Sequence, residues 1–212
     1  MGSSTMPETD HHHRVGVETF RLAVIIGGVR EGRFGNVVAD WFIRQVERRD
    51  ELDIDVIDLA EVDLPFEVEG RAESEPHDPG HAVSSAFTVR RRLDAADAYV
   101  VVTPEYHDTT ALRRLVDWHG RPWQAKPVGF VAYGGTTRGG YAVDQLRPLF
   151  ADLHAVPVRG QVTLPYAWEL FDEDASSRQA AATEEAAQAM LDQLAWWAVT
   201  LRRGRERHPY AA

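Results

Sequence analysis

A chain of 212 residues, 44% of them hydrophobic, can bury one sizeable core and is expected to form one domain. Its formal net charge of −10 argues against a long-range field that would gather nucleic acid or an anionic membrane surface. With no cysteine, disulfides, a redox dithiol, a thiol nucleophile and thiolate metal sites are excluded, so any redox chemistry must belong to a bound cofactor.

The N-terminus has no apolar h-region, and no apolar run approaches the roughly 18 to 20 residues that span a bilayer. A cytoplasmic protein is therefore expected. Residues 1–18, which include "MGSSTMPETDHHHR" at 1–14, are expected to be a disordered tail, and residues 19–205 the domain.

The first strand is expected at "FRLAVII", 20–26, followed by a loop from Gly27 to Gly35 and a helix that opens near Asn36. Val37, Val38, Trp41, Phe42 and Val46 share one face of that helix, with Asp40, Arg44, Glu47 and Arg48 on the other. A second strand follows at "LDIDVIDL", 52–59. The acidic stretch 61–81 has three prolines and no period, and reads as a long surface loop, with a lid as one reading. Then come a helix at about 82–95, a strand "AYVVVT" at 98–103 and a helix at 110–119. "KPVGFVAY" at 126–133, a helix at 140–153, "VPVRGQV" at 156–162 and a helix at 176–203 complete the pattern. Runs such as Val100, Val101 and Val102 are apolar on both faces, as strands of a parallel sheet covered by helices must be. Five βα units imply a three-layer, doubly wound α/β fold.

In such a sheet a ligand sits beyond the C-terminal ends of the strands, where the strand order reverses. The first loop, "GGVREGRFG", lacks the G-x-G-x-x-G spacing of a dinucleotide site, and its Gly32 is followed by Arg33 where a P-loop has lysine. The only lysine is Lys126. What remains is a cradle for a monophosphate, made of backbone amides at a helix N-terminus with Arg30 and Arg33 as side-chain ligands. The plain alternative is a glycine-rich turn with solvated arginines.

Two later loops leave the same sheet edge: "TPEYHDTTALRRLVDWHG" after the third strand and "YGGTTRGGYAVDQLR" after the fourth. Together with "IIGGVREGRFGNVVADW" they resemble the NADPH-dependent FMN reductase family, flavodoxin-like flavoproteins that include quinone, chromate and azo-dye reductases. The resemblance implies a five-stranded parallel sheet of order 2-1-3-4-5, bound FMN, and NADPH or NADH as co-substrate. It also implies a quinone-like or other small electron acceptor and a homodimer or homotetramer; charge, hydropathy and the lack of clustered ligands argue against nucleic acid, membrane and metal.

Position by position, it puts Gly28, Arg30, Arg33, Phe34, Gly35 and Asn36 at the FMN phosphate. Pro104, Glu105, Tyr106 and His107 would line the isoalloxazine, while Tyr133, Gly134, Gly135, Thr136 and Gly139 would present backbone to its pyrimidine side. His107 and Tyr106, in the cleft, are the candidates for catalytic side chains. The chain departs from the family at Gly28, where serine is usual, and at His107, where asparagine is usual. It also carries Asp108 in a segment about two residues shorter than the family's.

Other sites are set aside. No serine stands at a strand tip in a G-x-S-x-G setting. His77 and His81 are four apart but separated by Pro79 and Gly80, which deny them a helical metal geometry. His119 is a weaker acid–base candidate than His107, Arg113 could read an NADPH 2′-phosphate, and Trp118, Trp196 and Trp197 read as core or subunit interface. Three rivals stay open: a same-fold enzyme whose altered pocket takes a particular metabolite with weak or absent flavin, a non-enzymatic electron carrier, and a nicotinamide-only dehydrogenase in which Asp58 holds a ribose.

Overall fold

In a computed structural model, the structure describes residues 18–64, 81–105, 110–171 and 177–211. The expected tail (most of 1–18), the acidic stretch 65–80, and Tyr106, His107 and Asp108 lie outside the described residues.

Five strands form one parallel sheet: β1 (Phe20–Ile26), β2 (Leu52–Asp58), β3 (Ala98–Pro104), β4 (Pro127–Gly134) and β5 (Val156–Pro165), in the order β2-β1-β3-β4-β5. The helices are α1 (Gly35–Val46), α2 (His81–Ala95), α3 (Thr110–Trp118), α4 (Gly140–Asp152), the single turn α5 (Ala167–Leu170) and the long α6 (Ser177–Arg207).

The central strand β3 is buried at every position, as its largely apolar sequence requires, whereas the edge strand β2, "LDIDVID", is only partly covered. Alternation along β1 divides the core. Leu22, Val24 and Ile26 face a cluster shared with α1 and α6, while Ala23 and Ile25 face one built with α2, α3 and α4.

The sequence reading misses two short elements. A 3₁₀ turn, Arg121–Trp123, drives Trp123 fully into the core against Tyr99, ring centroids 4.6 Å apart, and Phe150, 5.2 Å apart. Neither this turn nor the four residues of α5 is long enough to show a helical period.

Lys126 lies at the edge where the strands begin, away from the phosphate loop. Its ammonium donates to the carbonyls of Leu93 (3.0 Å) and Asp94 (2.9 Å) and to the Tyr99 hydroxyl (3.2 Å), closing the C-terminal end of α2. Burial pushes its pKa down to about 8. His119 is at this same edge, 2% exposed, with neither ring nitrogen hydrogen-bonded among the described residues. Burial, helped by the charge of Arg90, lowers its pKa to about 4. It lines a cavity of about 400 Å³ with Arg90, Arg121 and His154, so the weaker of the two acid–base candidates stands apart from the cleft.

Candidate functional site

Because β2 and β3 flank β1 on opposite sides, the strand order switches between β1 and β3. The loops after β1, β3 and β4 open together at that crevice.

The first loop is closed by an ion pair. Arg33 donates from both terminal nitrogens to Asp58 at the tip of β2, at 2.5 and 2.6 Å, and also to the carbonyl of Gly28 at 2.8 Å. Both charged side chains are 15% exposed. The Asp58 carboxylate raises the pKa of the guanidinium further despite its burial, and Asp58 also accepts from the Ala60 amide at 3.0 Å.

The structure therefore gives Arg33 a different place from the one expected: its fork is taken by a carboxylate 25 residues on, and it braces the loop instead of offering two donors to an anion. The same pair removes Asp58 from the role of ribose ligand. Arg30 is exposed on the loop.

Beyond the brace, α1 starts at Gly35 with Phe34 in the N-cap position. The Phe34 side chain makes no capping hydrogen bond, and the first turn carries no acidic residue. A helix start of this kind has amide donors to offer and a positive dipole end, which suits a phosphate. The floor beneath is bare. A β-carbon on Gly28 would stand 3.0 Å from the Tyr133 hydroxyl, and one on Gly35 2.9 Å from it.

The second and third loops are tied to each other. The Glu105 amide donates to the Tyr133 carbonyl at 2.8 Å, continuing the β3–β4 ladder past Pro104. One Glu105 carboxylate oxygen accepts from the Thr137 hydroxyl and from the Gly139 amide. The other is buried and has no hydrogen-bond partner among the described residues. Glu105, expected to line a ring, thus also fixes the turn that would present backbone to it.

That turn needs glycine at 139, where φ is +82° and a β-carbon would meet that of Ala132 at 2.6 Å. Among the described residues nothing lies within 4 Å of a β-carbon at Gly135, which leaves backbone on the outer part of the turn for a ligand to approach.

Two aromatic residues at this rim escape the sequence reading. Tyr166, in left-handed backbone at φ 44°, donates its amide to the Gly134 carbonyl at 2.8 Å, and its hydroxyl pairs with Thr136 at 2.9 Å. Its ring meets Trp168 edge-on at 5.6 Å, and Trp168 is 50% exposed. They follow the fifth strand, whose "TLPYAWEL" ending holds no glycine to mark a ligand loop.

A braced loop ending in a helix start with free amide donors fits a phosphate. The glycine turn beside it, with a buried Glu105 oxygen that has no partner among the described residues and can accept from a ring N–H, fits a planar group. The comparisons agree. The family model for NADPH-dependent FMN reductase matches residues 20–169. An NAD(P)H-dependent FMN reductase of Nectria sp is 30% identical over 160 residues, covering 69% of this chain and 76% of that protein. Another, from Schizosaccharomyces pombe, is 28% identical over 157 residues, covering 69% and 74%. Among solved structures, a flavoenzyme NAD(P)H:(acceptor) oxidoreductase from Paracoccus denitrificans has the same fold. The TM-score is 0.65 at 16% identity, over 83% of this chain and 97% of that one. The chain belongs to the NADPH-dependent FMN reductase family.

Proposed function

We propose that the protein is an FMN-dependent NAD(P)H oxidoreductase that reduces a quinone-like or other small acceptor. The observation that carries this reading is the convergence, at one switch point, of the α1 N-terminus with the glycine turn that Glu105 holds in place.

When bound, FMN supplies the redox chemistry, taking a hydride from NADPH or NADH and returning it to the acceptor. The chain's own residues bind and orient. The first-turn amides of α1 and Arg30 would hold the phosphate, with Arg33 keeping their loop shut against Asp58. Backbone amides in the outer part of the turn, at Gly135 and Thr136, would face the ring edge on which negative charge builds on reduction, while the Gly139 amide is spent on Glu105 and fixes the turn. Tyr106 and His107 would complete the wall beside Pro104 and Glu105. Tyr166 and Trp168 offer a flat, half-exposed surface at the rim for a planar partner.

No helix among the described residues is long and apolar enough to cross a membrane. We place the protein in the cytoplasm as a homodimer or homotetramer, with half-exposed surfaces such as Trp196, 61% exposed on α6, available for subunit contact. The test is steady-state oxidation of NADPH and NADH by the FMN-supplemented protein with a benzoquinone as sole acceptor and no partner protein. Turnover that depends on FMN and on the protein supports the reading. Electron transfer only in the presence of a second protein would favour a carrier instead.

A further inference from the structure

Tyr133 is 4% exposed and sits at the end of β4, opposite Pro104 in the β3 register. Its ring belongs to the cluster that includes Ile26 and the apolar face of α1, so its hydroxyl rises from the core beneath the first loop. Two loop residues above it, Gly28 and Gly35, are glycine. A β-carbon at either would crowd the hydroxyl, at 3.0 Å from position 28 and 2.9 Å from position 35. Gly28 does not need to be glycine for its backbone, since its φ is not in the left-handed region, and the next nearest atoms to its β-carbon site are those of Pro104 at 3.5 and 3.6 Å. Among these neighbours the Tyr133 hydroxyl is the tight one.

Resting on the FMN reading above, we infer that the Tyr133 hydroxyl is a phosphate ligand. It donates to an FMN phosphate oxygen through the gap left by Gly28 and Gly35, in the place of a hydroxyl carried on the loop itself. The loop lacks serine and threonine from Gly27 to Gly35, and a hydroxyl bonded to a doubly charged phosphate is among the stronger hydrogen bonds.

The experiment measures the affinity of flavin-free protein for FMN and for riboflavin, which lacks the phosphate, by quenching of flavin fluorescence. Tyr133→Phe should weaken FMN binding by about tenfold or more and leave riboflavin binding unchanged. Gly28→Ala, which crowds the hydroxyl and supplies none, should have the same selective effect without touching the core. Gly28→Ser combined with Tyr133→Phe should recover most of the FMN affinity. The inference is overturned if both single variants bind FMN as wild type does, or if they weaken FMN and riboflavin equally, which would mark Tyr133 as a packing support. Wild-type protein that binds riboflavin and FMN alike would also overturn it, and wild type that binds neither would overturn the functional reading with it.

Discussion

Arg33 separates two accounts of the first loop, and a double-mutant cycle with Asp58 decides between them. Both side chains are 15% exposed and share two charge-assisted hydrogen bonds, at 2.5 and 2.6 Å. Bonds of this kind are worth about 1.5 to 3 kcal/mol net, and stripping one partner from a largely buried pair adds the cost of an uncompensated charge. Arg33→Ala and Asp58→Ala should therefore each lower the stability of flavin-free protein by about 2 to 3 kcal/mol. The double variant should lose only about 3, leaving a coupling of about 2 kcal/mol. The assay is urea unfolding of the four proteins without flavin, at one pH and salt concentration. If Arg33 instead faces an empty phosphate site, Arg33→Ala will barely change flavin-free stability and will act on FMN affinity alone. A coupling below about 0.5 kcal/mol would refute the brace.

His119, with a folded pKa of about 4 against an unfolded 6.5, binds fewer protons folded than unfolded between those values. Stability is therefore unaffected above the unfolded pKa and falls as pH drops from 6.5 toward 4, by up to about 3 kcal/mol in total. Thermal midpoints measured from about pH 7 to 5 should show this slope, and His119→Leu should flatten it. Lys126 repeats the same sign at high pH. Its folded pKa of about 8 lies below 10.5, so stability should rise as pH climbs from 8 toward 10.5, and Lys126→Met should abolish that rise. Gly139→Ala forces a β-carbon to 2.6 Å from that of Ala132 at φ +82°. It should lower stability by at least about 2 kcal/mol, seen as a fall of several degrees in melting temperature, and should weaken FMN binding.

The sheet is legible in the sequence because burial on both faces leaves a plain trace: Val100–Val102 and "KPVGFVAY" can hardly be anything but covered strands. The doubly wound architecture follows from that alternation, and the strand order from the family resemblance that the loop motifs carry. The site is less legible, for a physical reason. A sequence displays residue types, but which donor meets which acceptor is set by register. Arg33 has the chemistry of a phosphate ligand, and only the placement of the β2 tip beside the first loop shows that Asp58 already takes its fork. Tyr133 reads as one more residue of the glycine turn until the pairing of β4 with β3 lifts its ring under Gly28 and Gly35. Tyr166 leaves no mark at all, being an aromatic residue in a left-handed conformation more often taken by glycine or asparagine.

The central claim is that this cleft holds FMN where a nicotinamide can reach it. Anaerobic addition of NADPH or NADH to the FMN-loaded protein, in one turnover and with no acceptor present, tests this directly. The flavin's visible absorbance should bleach at a rate that saturates with nicotinamide concentration, and should return when a quinone is added. A protein that takes up no FMN, or whose bound flavin keeps its colour under excess NADPH and NADH, would contradict the account.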